Sequence, residues 1–239
     1  MGAQRRVYTG IAGLDAQLGG GVPPGTSILL VAESSNALYQ FLDEVAGFGI
    51  DQGEQVVWFE LDRPWGLIQA PFERAATEGQ GTFRVLQGYE PRVGSYSPNG
   101  SGLDYHEIGP SDVPSMAAKI LSEVEPNRYR LVVSSLTTLL QSVSFQEVQG
   151  MLRQLVALNQ SLGGLQIFTV VGGAHPPAEI SMLKHMCTGV FELGIERKGF
   201  GLYSYLKVEK LLGVPDAARL LLFNETENGL RLESTRRVF

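Results

Sequence analysis

Short apolar runs rich in β-branched and aromatic residues recur at 27–32 (SILLVA), 56–60 (VVWFE), 83–87 (FRVLQ), 130–134 (RLVVS) and 165–171 (LQIFTVV). Runs of this length with little polar alternation predict strands covered on both faces. Between them the period changes. Leu38, Phe41, Leu42 and Val45 stand at i, i+3, i+4 and i+7, which predicts an amphipathic helix over 37–48. Val148, Leu152, Leu155, Val156 and Leu162 do the same for 145–162. Ser111 is the expected N-cap of a helix over 113–124, with Pro126 beyond its end. Strands alternating with helices imply right-handed crossovers and a mainly parallel sheet. From residue 189 the pattern shifts again. The runs 189–194, 202–209, 219–223 and 230–233 leave no room for helices between them and predict an antiparallel extension. The stretch 88–110, rich in Gly, Ser, Pro and Tyr, reads as a long loop. No internal repeat or composition break divides the chain, so a single α/β domain over 1–239 is expected.

Composition narrows the functional classes. Nineteen basic against 25 acidic residues give a net charge of −6, which disfavours nucleic-acid binding through a global basic field. The single cysteine, Cys187, lies among apolar residues; it excludes an internal disulfide and fits a reducing, cytoplasmic setting. No apolar run approaches the roughly 20 residues of a membrane span, and the start MGAQRRVYTG carries no apolar segment of a signal peptide. His106, His175 and His185 lack metal-ligand spacing with Cys187, so no metal is expected. Ser134 and Ser135 with His175 lack the G-x-S-x-G context of a hydrolase. Trp58 and Trp65 read as core and rim residues. The tyrosines of 89–105 read as a partner contact, because few basic residues surround them. Segment 172–184 reads as a surface or interface loop with Lys184 as its clear cation, and Arg236-Arg237 is too short for a nucleic-acid arm.

The segment TGIAGLDAQLGGGVPPGTSILLVAES resembles the opening of KaiC-like and RadA-like proteins. Thr9, Gly10, Gly13, Leu14, Asp15, Gly19, Gly20, Gly21, Pro23 and Gly25 match that family's T-G-(I/V)-x-G-(F/L)-D segment and the Gly/Pro turn before its first strand. The similarity continues through VVWFELDRP, LVVSSLTTL and YSYLKVEKLLG and covers most of the chain. It implies a RecA-like three-layer sandwich, an ATP site between neighbouring subunits, and assembly into oligomers.

At each chemical position of that family this sequence differs. Aligned on the first strand, the phosphate loop runs Ala32, Glu33, Ser34, Ser35, Asn36, Ala37, Leu38, Tyr39. Phosphate loops work because glycines let backbone N–H groups curl round the phosphates while a lysine and a hydroxyl meet phosphate and magnesium. Ala32 and Ala37 stand at the glycines, Leu38 at the lysine and Tyr39 at the hydroxyl. Glu33 adds negative charge. Ser134 stands where the family carries the magnesium-orienting aspartate. Glu60 survives as a relic candidate for the water-activating base, with Leu61 beside it in place of a second Glu. Lys210 remains of the cations sent toward a neighbour's phosphate, but Leu212 replaces the arginine. No Lys or Arg occurs between Arg6 and Arg63, so no alternative alignment supplies a local cation. No bound cofactor is expected.

These substitutions imply a pseudo-ATPase acting as an assembly or regulatory subunit, either as a homo-oligomer or paired with a RecA/KaiC-like paralogue. A sensor that binds nucleotide weakly without hydrolysis is the second expectation. A DNA-binding recombinase paralogue is the third, disfavoured by charge.

Overall fold

The computed structural model describes residues 5–11, 13–33, 36–64, 67–68, 80–89, 103–198, 201–226 and 229–232. Ten strands join in one sheet: β1 (Thr26–Ala32), β2 (Gln55–Glu60), β3 (Thr82–Gln87), β4 (Leu103–Glu107), β5 (Tyr129–Ser134), β6 (Leu165–Val171), β7 (Gly189–Lys198), β8 (Gly201–Leu211), β9 (Arg219–Thr226) and β10 (Gly229–Leu232). Their order across the sheet is β10-β9-β8-β7-β1-β6-β5-β2-β3-β4. Pairings from β7 through β1 to β4 are parallel, whereas β7 to β10 form the antiparallel extension. The helices are α1 (Leu14–Gln17), α2 (Asn36–Asp51), α3 (Val113–Leu121), α4 (Leu136–Leu139), α5 (Phe145–Leu162) and α6 (Pro177–Met186).

Two apolar clusters give the sandwich its layers. On one face α2 buries Leu38, Phe41, Leu42 and Val45 against Ile28, Leu30, Val56, Trp58 and the inner face of β7–β10. On the other, α3 and α5 pack Ala117, Leu121, Val148, Leu152 and Leu155 against Leu29, Val57, Leu131 and Phe168. Neighbouring residues of each central strand thus enter opposite clusters, which is why these runs are apolar throughout. No helix among the described residues is long and apolar enough to cross a membrane.

The start of the chain has a mechanical task. The Asp15 carboxylate accepts hydrogen bonds from Thr9 N (2.8 Å), Thr9 Oγ1 (2.9 Å) and Gly10 N (3.1 Å). Val7 and Val22 exchange two backbone hydrogen bonds of 2.8 Å. Gly21 lies beneath that bridge at φ 103°, where a Cβ would come within 2.4 Å of the Val7 carbonyl oxygen. Buried Arg130 reinforces the same segment, donating to the carbonyls of Tyr8 (2.9 Å), Thr9 (3.1 Å) and Val45 (3.0 Å) while pairing with Glu54 at 2.7 Å.

Several local expectations are corrected. β4 lies inside the stretch read as a loop; its sequence, LDYHE, is too polar to announce an edge strand, and among the described residues it pairs with β3 alone. Pro110–Asp112 forms a 3₁₀ turn, so Asp112 rather than Ser111 is the N-cap of α3, and the helix ends at Leu121. Most of the segment 172–184 is helical rather than loop, because Pro177 opens α6, which buries Leu183. Cys187 is buried, as its apolar neighbours implied, and burial pushes its thiol up to about 12. Ser34, Ser35, Trp65, most of the tyrosine-rich stretch and Arg236-Arg237 lie outside the described residues.

Candidate functional site

Ligands of open α/β sheets bind where the carboxyl ends of the strands meet the following loops. Here the ends of β1, β2, β5 and β6 converge around a cavity of about 490 Å³ lined by Leu38, Tyr39, Asp62, Tyr89, Ser135 and Thr138, among others. Ala32 is buried at the end of β1, with its carbonyl accepting from Gly172 N at 3.0 Å. Glu33 and Asn36 are exposed. Ala37 and Leu38 point into the apolar cluster beneath α2, Leu38 with 2% of its surface exposed. Tyr39 is half-buried and packs against the same cluster.

Glu60 ends β2 with no exposed surface. Its Oε1 accepts from the backbone N–H groups of Asp62 (2.9 Å) and Arg63 (3.0 Å), and its Oε2 from Arg63 Nε (3.0 Å). Burial pushes its carboxyl up to about 7, and the Arg63 charge and these donors only partly offset that rise. Arg63 turns back over α2. Its Nη2 lies 3.2 Å from Asp43 Oδ1, and its guanidinium carbon sits 4.4 Å from the Tyr39 ring centre and 5.4 Å from that of Trp58. Gln87 Nε2 holds the Arg63 carbonyl at 2.7 Å. A cation therefore does reach the phosphate-loop helix, although the chain has none between Arg6 and Arg63. Arg63 is not among the residues that line the cavity, whose described lining carries no Lys or Arg. Two carboxylates and two aromatic rings already surround that cation.

A carboxylate also stands at the cavity, supplied by Asp62 rather than position 134. Ser135 Oγ donates to Asp62 Oδ1 at 3.1 Å, and Thr138 Oγ1 donates to the same oxygen. Ser135 accepts from Thr138 N at 3.3 Å as the N-cap of α4. Ser134 itself is fully buried, and its Oγ has no partner among the described residues. Thr137 Oγ1 accepts from Val171 N at 2.9 Å and lies 2.9 Å from His175 Nε2, which ties α4 to the end of β6. Among the described residues no group of three metal-ligating side chains comes together.

The sequence reading passed over Asp62 and Arg63. Their signal was position: two charges immediately after a buried strand, at the end of the sheet where ligand sites form. Lys210 and Lys184 lie apart from this cavity. Lys210 Nζ donates to the Lys184 carbonyl at 2.6 Å, Lys184 pairs with Glu209 at 2.8 Å, and Leu212 is 58% exposed.

This architecture is that of a KaiC-like protein with the RecA fold. A KaiC-like protein of Pyrococcus horikoshii superposes with a TM-score of 0.72 over 97% of this chain and all of its own, at 18% identity. UPF0273 proteins of Methanopyrus kandleri and Thermotoga maritima are 22% and 24% identical, covering 97% and 95% of this chain and 93% and 95% of their own lengths. Residues 6–221 match DUF7125, a family of unknown function, and the chain belongs to it.

Proposed function

We propose that this KaiC-like protein does not hydrolyse ATP and acts as an assembly or regulatory subunit, as a homo-oligomer or beside an active paralogue. One observation carries the reading. Buried Leu38 occupies the lysine position, and the nearby cation, Arg63, is held between Glu60 and Asp43. Phosphoryl transfer is catalysed almost entirely by positioning and charge stabilisation. A guanidinium already paired with two carboxylates adds little field at a phosphate. Glu60 is likewise engaged by three donors and is not placed to activate a water. Calorimetry with ATP and Mg²⁺, together with a phosphate-release assay, tests the reading. The expected outcome is no Mg²⁺-dependent binding and no turnover; turnover abolished by Glu60→Gln overturns it.

A second reading, a sensor that binds a ligand without turnover, is favoured by the cavity itself. Tyr39 and Tyr89 supply aromatic surface, and Asp62 with its two hydroxyl donors supplies polarity. Magnesium-independent binding of ATP or ADP, lost in Tyr39→Ala, selects this reading.

A further inference from the structure

At the opposite end of the sheet a cavity of about 260 Å³ is lined by Arg5, Arg6, Tyr8, Phe48, Arg128 and Tyr129, among others. We propose that it is a binding site for a small oxyanion, a phosphate or carboxylate group, unrelated to nucleotide turnover. Three arginines, Arg5, Arg6 and Arg128, line it in a chain of net charge −6. Two of them are anchored by neutral acceptors: Arg5 Nη2 donates to the Asn127 carbonyl at 3.0 Å, and Arg128 Nη2 to the Gly53 carbonyl at 2.9 Å. Arg6 Nη1 is buried and meets no acceptor among the described residues. A buried charged donor without a partner is costly, and an anion entering the cavity becomes its acceptor once the Arg6 side chain turns toward it.

The opposing negative groups are too few to cancel this charge. Glu54 also lines the cavity, but both its oxygens are engaged by Arg130, at 2.7 and 3.3 Å. Glu125 approaches Arg128 only to 3.9 Å. The C-terminal ends of α2 and α5 face this region and contribute about half a negative charge each. Together they offset about one of the three guanidiniums, and Glu125 part of another. The site is also pre-organised. The Val7–Val22 bridge and Arg130 fix the segment bearing Arg5 and Arg6, while Asn127 N donates to the Leu162 carbonyl at 2.6 Å and fixes the loop bearing Arg128. The volume lies at the small end of ligand pockets, which suits a phosphate or a short carboxylate, and Tyr8, Phe48 and Tyr129 give it an aromatic wall.

Titration of the full chain with inorganic phosphate and, separately, with succinate tests this by calorimetry, and by ³¹P line broadening for phosphate. Expected is saturable binding of at least one anion that weakens with added NaCl. Arg6→Met and Arg128→Met should each lower the affinity about tenfold while leaving the circular dichroism unchanged. The relative affinity of the two probes identifies which oxyanion the site prefers. Absence of saturable binding by either, or affinity unchanged in both variants, overturns the proposal. ATP binding that survives in both variants belongs to the cavity near Leu38 and bears on the preceding reading instead.

Discussion

Arg63 joins two elements through one planar group: β2 through Glu60 and the Trp58 ring, and α2 through Asp43 and the Tyr39 ring. Arg63→Met keeps the stem but leaves Glu60 buried without its counter-charge. Removing one partner of a buried ion pair costs about 3–5 kcal/mol, and urea denaturation above about pH 7, where Glu60 is ionised, should show a loss of that order. Unchanged stability would mean that the pair is not formed in solution. The raised Glu60 carboxyl has a pH consequence whose sign is opposite to that of an ordinary paired acid. Between about 4.5 and about 7 the folded protein holds a proton there that the unfolded chain has released. Its stabilising contribution is therefore full below about 4.5 and declines as pH rises through about 7. Glu60→Gln removes this dependence. The difference in unfolding free energy between wild type and variant should fall across that window, and a difference rising with pH would contradict the assignment.

Helix α2 shows what the sequence revealed at the scale of elements and what it hid. Leu38, Phe41, Leu42 and Val45 announced the helix and its buried face, and all four are buried. The apolar strands were equally visible because strands covered on both faces have few polar positions. β4 was not, since an edge strand reads as loop when Asp104, His106 and Glu107 punctuate it. That position 38 is an apolar leucine was visible from the residue alone, but the return of Arg63 to the same helix was not. That contact depends on the chain folding back after Glu60, a tertiary event with no periodic signature. The helix also supplies a test. Leu38→Ala should destabilise by about 2–5 kcal/mol, the range for deleting a buried leucine side chain. Leu38→Lys restores the cation in name only. It places an ammonium in the apolar cluster beneath α2, so calorimetry should detect lower stability and no gain in Mg²⁺-dependent ATP binding. Recovery of such binding would show that the loop retains a phosphate cradle.

At the scale of the whole molecule, the antiparallel extension offers a test of the proposed association. The resemblance stated from the sequence implies cations sent toward a neighbour from the segment around the end of β8. Here Lys210 is turned back onto the Lys184 carbonyl, and Lys184 and Lys207 are both paired with Glu209. The group left projecting is Leu212, 58% exposed. An association made through this segment is therefore apolar rather than cationic. Apolar contacts lack the ionic screening that weakens surface charge pairs as salt rises. Multi-angle light scattering should give a mass above the 26.0 kDa of one chain, held constant from about 0.05 to 0.5 M NaCl. Leu212→Asp should lower that mass at equal protein concentration, because it places a carboxylate where the exposed leucine would make an apolar contact. A monomer at all concentrations, alone and mixed with KaiC-like paralogues, would remove the assembly role. An oligomer that dissolves with salt while ignoring Leu212→Asp would place the contact elsewhere, on a surface where ion pairs rather than this leucine hold the copies together.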